Sequence, residues 1–370
     1  MPAIRPIALL ALLPLVSACG LAGPAGNASS GLTATPPTAA VQAAFAQRSY
    51  APGSVAVLRL RGAARPLRVQ MFHAGAARRG PMQGAPVSTV LHVDSTAATV
   101  ALSIGEWPSG LYYARVSSPR GTWFAPFVLR PARLGAHRVA VVLPTNTWQA
   151  YNYEDDDSWY LDSSVHTIDL GRPYVEGGVP PHYHGYDRGF LRWLALRHAH
   201  ADFFSDDDLD RVASGDALAR AYDLIVFPGH EEYVTEHELD VVTRYRNLGG
   251  NLAFLSSNNF FYKVSKHGEL MDGRLRWRDL GRPEASLVGI QYVDWNHDRY
   301  PNTPFSVVGR QRAPWLFRGT GLEDGSTFGV YGIEIDAVAP SSPRAVRVVA
   351  RISGIFGRGK SAEMTYYETP

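Results

Sequence analysis

The chain has 370 residues, with 36 Lys and Arg against 34 Asp and Glu, a formal charge of +2 and one cysteine. That balance leaves no net basic excess to draw nucleic acid or anionic lipid, and one cysteine excludes an intrachain disulfide. A chain of this length exceeds one ordinary core, so two domains are expected.

Met1 to Val16 carries one charged residue, Arg5, ahead of an apolar run from Ile7 that is too short to span a bilayer. This reads as a secretory signal. It ends in Val16-Ser17-Ala18-Cys19-Gly20, which resembles the bacterial lipoprotein box. Residues 1–19 are therefore expected to be a lipoprotein signal peptide, with a lipidated Cys19 holding the exported protein to a membrane of the cell envelope. A lipidated cysteine leaves no thiolate for catalysis, and no later apolar run is long enough for a transmembrane helix. Residues 20–47, rich in Ala, Gly, Pro, Ser and Thr, cannot build a core and read as a tether.

Residues 48–131 contain five nearly alternating segments separated by turn residues, beginning at Ser54, Leu67, Ala98, Leu111 and Trp123. Their spacing predicts a small β-sandwich-like domain. From 137 to 370 the pattern is α/β. Arg138-Val-Ala-Val-Val-Leu-Pro reads as a buried strand, Gly185 to His200 as a helix, Asp202-Phe-Phe-Ser as a short strand and Asp207 to Arg220 as a second helix. Tyr222-Asp-Leu-Ile-Val-Phe-Pro is the next buried strand. Thr235 with Glu238 forms a capping box for the helix that follows, Gly249 and Gly250 stand at its end, and Asn251-Leu-Ala-Phe-Leu returns to the sheet. Beyond Phe261 only Arg344 to Ile352 reads as a clear strand.

Four patterns compete for chemistry. Gly354-Ile-Phe-Gly-Arg-Gly-Lys-Ser matches the spacing of a phosphate-binding loop, but too few residues follow for the helix such a loop needs, so a basic glycine turn is expected. His198 and His200, two apart on a predicted helix, face different directions, whereas His182 and His184 in a Pro- and Tyr-rich loop are better placed to line a pocket. The acidic runs Glu154–Asp157 and Asp206–Asp208 lack the glycine-spaced calcium loop and read as solvated. His230 and Glu232 have the strongest physical case. They alternate at the carboxyl end of a parallel strand, just before a helix, where open α/β sheets hold ligands; a carboxylate there can bind metal and an imidazole can move a proton.

Several stretches together resemble the large (beta) subunit of N,N-dimethylformamidase: Trp107-Pro-Ser-Gly-Leu-Tyr-Tyr, Leu143-Pro-Thr-Asn-Thr-Trp-Gln-Ala-Tyr-Asn, Pro228-Gly-His-Glu-Glu-Tyr, Gly249-Gly-Asn-Leu-Ala-Phe-Leu-Ser-Ser-Asn-Asn and Tyr331-Gly-Ile-Glu-Ile-Asp. The resemblance implies a small β domain followed by a class I glutaminase-like (flavodoxin-like) α/β domain. It also implies one non-haem ferric iron, Fe(III), held by two tyrosines and a glutamate beside a histidine. On this sequence the glutamate falls at Glu232, the histidine at His230, one tyrosine at Tyr151, and the other at Tyr112 or its neighbour Tyr113. These oxygen donors suit ferric iron, and three protein ligands leave room for water and an amide oxygen. A small partner subunit or a homo-oligomer is expected on the same ground.

Two readings follow. One is an exported iron-dependent hydrolase of a small amide or related C–N bond. The other is a non-catalytic surface lipoprotein that binds a small ligand in the same crevice. Metal content separates them.

Overall fold

The computed structural model describes residues 41–369 apart from 63–65, 78, 95, 154–157, 163 and 358. The expected signal peptide, Cys19, the tether as far as residue 40 and the acidic run at 154–157 lie outside the described residues. The tether was expected to reach 47, but Gln42–Phe45 is a strand with Ala43 and Phe45 buried. Its small residues and one phenylalanine alternate, and that suffices to add an edge to a sheet.

The described residues are rich in strand with few helices. Near the N-terminus, Gln42–Phe45, Val55–Arg61 and Thr99–Ser103 form a three-stranded antiparallel sheet. Facing it is a larger sheet built on Leu67–His73, Gly110–Ser118 and Gly121–Leu129, joined antiparallel. Val55–Arg61 alternates strictly between exposed and buried, and its inward residues Ala56, Leu58 and Leu60 share one core with Val69, Tyr112, Ala114 and Phe127 of the facing sheet. The larger sheet is buried on its other face too. Phe72, Leu111, Tyr113 and Val128 pack there with Val141, Leu143, Trp148 and Leu191 of the following region.

That region is centred on a parallel four-stranded sheet in the order Asp202–Ser205, Val139–Leu143, Leu224–Phe227, Asn251–Phe254. The first strand in sequence lies inside the sheet, so the chain leaves it once toward each edge. A crevice results at the carboxyl ends of Val139–Leu143 and Leu224–Phe227. The helix Glu236–Asn247 starts on the expected capping box: Thr235 N donates to Glu238 Oε2 at 2.5 Å and Glu238 N donates to Thr235 Oγ1 at 3.2 Å. Gly249, at φ +88°, turns the chain back after it.

The helix expected over Asp207 to Arg220 is two helices, Asp206–Asp210 and Gly215–Ala221, each capped by its own serine, Ser205 and Ser214. Gly215 lies against the capped helix so closely that a Cβ would come 2.5 Å from Val241 O, which fixes the break there. Asp206 and Asp208 are buried in this first turn, so the solvated loop expected for the run is corrected. Beyond Phe261 the structure adds Tyr262–His267, Leu270–Arg276, Gln291–Trp295, Phe305–Val307, Glu334–Ala337 and Lys360–Tyr366 to the expected strand, which runs Arg347–Ile355. After the glycine run at Gly354 the chain enters the strand Lys360–Tyr366, not a helix, as a hairpin turn requires.

Gly178 ties the loop ahead of the crevice to the larger N-terminal sheet, at φ +89° and with the position of a Cβ only 1.6 Å from Phe124 O. Gly178→Ala is therefore expected to lower stability in urea denaturation well beyond the ~1 kcal/mol of losing the Thr235 cap in Thr235→Ala; equal midpoints for the two variants would show that the loop yields freely.

Candidate functional site

Strand Leu224–Phe227 ends at Pro228, and residues 229–232 cross the crevice before Tyr233–Val234 pairs parallel to Tyr262–His267. The crossing is held from the neighbouring strand end. Helix Thr145–Ala150 follows Val139–Leu143 directly; Thr147 Oγ1 accepts from Glu232 N at 3.1 Å, and Asn146 Nδ2 donates to Tyr233 O at 3.1 Å. His230 and Glu232 share the crevice side of this extended segment. Glu231 between them turns the other way, where burial, with Asp206 close by, pushes its carboxyl far up. Those two carboxyls hydrogen-bond only by sharing a proton.

Three groups meet on one oxygen, Oε2 of Glu232. Tyr151 closes helix Thr145–Ala150 and donates its hydroxyl to Glu232 Oε2 at 2.8 Å. Tyr160 donates to the same oxygen at 3.3 Å, stacks on Tyr151 with 4.4 Å between centroids, and is hydrogen-bonded to the Tyr233 hydroxyl. His230 Nε2 lies 3.2 Å from that oxygen and 3.3 Å from Glu334 Oε2, while His230 Nδ1 lies 3.0 Å from Ser257 O. Since a carbonyl only accepts, Nδ1 carries hydrogen and Nε2 is the variable position.

The electrostatics follow from burial with like charges. Burial, then Glu232, hold the Tyr151 and Tyr160 hydroxyls well above the usual phenol range. Burial alone would lower His230, but Glu334, Glu232 and the Ser257 carbonyl outweigh it and hold the imidazole up at about 9. Glu334 is pushed up to about 7 by burial, against the pull of His230. It arrives on strand Glu334–Ala337, and Asn258 bonds to it. Asn258 sits at φ +57°, its N donating to both oxygens of Asp336 at 2.9 and 3.0 Å.

The structure brings Tyr151, His230 and Glu232 together and leaves Tyr112 elsewhere. Tyr112 faces the inner core of the two N-terminal sheets, stacked between His73 and Trp107, and its hydroxyl donates to Pro108 O at 2.8 Å. Tyr113 points to the opposite face but stacks on Phe72. Successive residues of a strand alternate, and each tyrosine is taken up by its own side's packing, so the structure brings neither Tyr112 nor Tyr113 to the cluster. The second phenol in the cluster is Tyr160. Sequence reasoning missed it and Glu334, although Glu334 lies in the Tyr331-Gly-Ile-Glu-Ile-Asp stretch. Of the histidine pairs, His182 lines the cleft edge-on to Tyr151, whereas His184 is exposed beside Arg188 and His200 stacks on His137.

Among the described residues no three His, Cys, Asp or Glu side chains are arranged to hold a metal by themselves, so a cation here would need phenolic oxygens. The donor set fits a hard cation on those terms: two phenols and a carboxylate converge within hydrogen-bond distance, and burial of the hydroxyls, then the neighbouring Glu232, holds both phenols toward their neutral forms. Beside the cluster opens a cleft with about 220 Å³ of empty space, adjoining solvent included, lined by Trp148, Tyr151, His182, Tyr186, Asp187 and His230 among others.

A family model described as N,N-dimethylformamidase beta subunit-like, C-terminal, matches residues 93–370. No curated protein matches the chain. Among solved structures, superoxide reductase (neelaredoxin) from Ignicoccus hospitalis is 12% identical over 25% of this chain and 79% of that one, with a TM-score of 0.18. The M1 domain from titin is 11% identical over 25% and 94%, with a TM-score of 0.18. Superpositions this weak carry no argument.

Asp336, pushed up to about 7 by burial, gives a stability test. Its folded value lies above the ~3.9 of an unfolded aspartate, so its contribution is complete below that value and is lost as pH rises through about 7. Urea-denaturation stability is expected to fall from roughly pH 4 to pH 7, and Asp336→Asn to flatten the fall; an unchanged slope would assign the loss to other groups.

Proposed function

Because the chain belongs to the N,N-dimethylformamidase beta subunit-like family, we propose that it is an exported, iron-dependent hydrolase of a small amide or related C–N bond. The observation that carries the reading is the meeting of Tyr151, Tyr160 and His230 on Oε2 of Glu232, in the crevice of a parallel sheet. In this reading Tyr151, Tyr160 and Glu232 hold one ferric ion, with Tyr160 in the place expected of Tyr112. When bound, the ion supplies Lewis acidity toward a carbonyl oxygen and toward water.

The side chains do the rest. Hydrolysis adds water across the C–N bond, so one proton must leave the water and one must reach the departing nitrogen. His230 is fixed for this by Nδ1–H on Ser257 O, with Nε2 toward the cluster. Held up at about 9 by Glu334 and Glu232, the imidazole keeps its proton at neutral pH. With Glu232 among the residues that would hold the cation, Glu334 is the partner that keeps Nε2 basic. His230 then takes the proton from water and returns it to nitrogen as the amine leaves.

The sheet order, with its first strand inside, supports a class I glutaminase-like arrangement for residues 137–370. The beta-subunit description supports a small partner subunit, and Cys19 with its preceding apolar run supports a lipid anchor.

Protein from cells grown with ample iron is expected to be coloured by phenolate-to-iron charge transfer. Glu232→Ala loses most of the iron; Tyr160→Phe weakens the band, and Tyr112→Phe leaves iron and colour in place. His230→Ala keeps both while turnover is lost. Colourless, iron-free protein unaffected by Glu232→Ala would move the reading to a ligand-binding lipoprotein. For the anchor, Cys19→Ser is expected to shift the protein from the membrane fraction to the soluble one; wild-type protein already soluble without detergent would refute it.

A further inference from the structure

Tyr160 lies on Ser158 to Asp162, a turn outside any helix or strand, and Arg274 reaches that turn from strand Leu270–Arg276. Its Nη1 donates to Trp159 O at 3.3 Å, and its guanidinium carbon stands 5.8 Å from the ring centroids of Trp159 and Tyr160 and 5.5 Å from that of Tyr262. A cation at that range is attracted to an aromatic face. Its charge is felt among these rings: burial and Glu232 push the Tyr262 hydroxyl up, and Arg274 pulls against them. The strand is irregular where this placement requires it. Asp272 pairs with Ser265 and Leu275 with Lys263, so Gly273 and Arg274 together stand opposite Val264. Gly273, at φ +80°, makes this bulge. Side chains alternate along a strand, and without the extra residue Arg274 would point away from the face that Met271, Val264 and Tyr262 share. With it, Arg274 joins them.

We propose that Arg274 is a positioning residue of the Tyr151–Tyr160–Glu232 cluster: by pinning Trp159 and standing over the Tyr160 ring, it fixes that phenol at Glu232 and draws on the electrons its oxygen would give to iron. The proposal rests on the iron reading above and adds to it a residue that touches none of the expected ligand oxygens. A ligand on irregular backbone needs support from a rigid element. Tyr151 has the end of a helix and Glu232 the Thr147 hydroxyl on its N–H. For Tyr160 the support is the bulged strand, and Arg274 is the side chain that carries it across. The bulge is the built feature here, since a glycine in the left-handed region re-aims one side chain onto the stretch that bears the second phenol.

The test reads iron binding and colour in the full chain, apart from turnover. Arg274→Gln keeps an N–H for Trp159 O and loses the charge. It is expected to move the phenolate-to-iron band to longer wavelength, because ring electrons no longer held by a cation are given up more easily. Iron binding, measured in competition with citrate, should weaken roughly two- to fivefold. Arg274→Lys should restore both readings, whereas Arg274→Ala, which loses the pin as well, should weaken binding further. In a Tyr160→Phe background Arg274→Gln should change neither, since its target is gone. A merely structural role would instead lower the melting temperature of the iron-free Arg274→Gln protein and leave the band in place. A band and an affinity unchanged by Arg274→Gln, or changed equally in the Tyr160→Phe background, would overturn the proposal and leave the iron reading standing. No band in any of these proteins, wild type included, would overturn the iron reading and this proposal with it.

Discussion

One carboxylate oxygen, Oε2 of Glu232, organises the centre of this protein. A buried negative charge is tolerated only where hydrogen-bond donors or opposite charge meet it, and here two phenols and an imidazole converge on it from three segments of the chain. Each donor is held by something else: Tyr151 by its place at a helix end, Tyr160 by stacking on Tyr151 and bonding Tyr233, His230 by the Ser257 carbonyl. The elements around the crevice are thus tied through a single atom. A change at any of them reaches the others through that atom's charge.

The second constraint is that His230 stands between two carboxylates, Glu232 and Glu334. Two acids and one base in a dry place hold the base protonated. The proton content of the cleft is therefore set by the whole group, and whatever neutralises Glu232 alters the imidazole as well. The candidate chemistry rests on this coupling more than on the identity of any one residue.

The parallel sheet was legible because its strands are unbroken apolar runs and its longest helix carries a complete capping box at Thr235 and Glu238. His230 and Glu232 were legible because alternation at a strand end puts both on one side. Tyr160 was not. It lies in an irregular stretch, Ser158 to Asp162, where neither period 2 nor period 3.6 assigns a direction. Tyr112 shows the converse limit, since a motif can name a tyrosine but packing decides which face of the strand it joins, and Phe45, Trp107 and Phe127 claim it for the inner core. The C-terminal strands escaped notice because several are short and half-buried, such as Tyr262–His267 and Gln291–Trp295, and their pairing depends on partners far along the chain.

Glu334 reaches His230 from strand Glu334–Ala337, paired with Gln291–Trp295, both far downstream of the sheet that carries the imidazole. This fixes an order of assembly. While the chain emerges from the ribosome, the crevice exists with one carboxylate beside His230 until the later strands have formed and docked. Contacts of such long sequence separation form late and slowly, so the centre matures only when nearly the whole chain is in place. Completion of the fold and completion of the cleft are the same event.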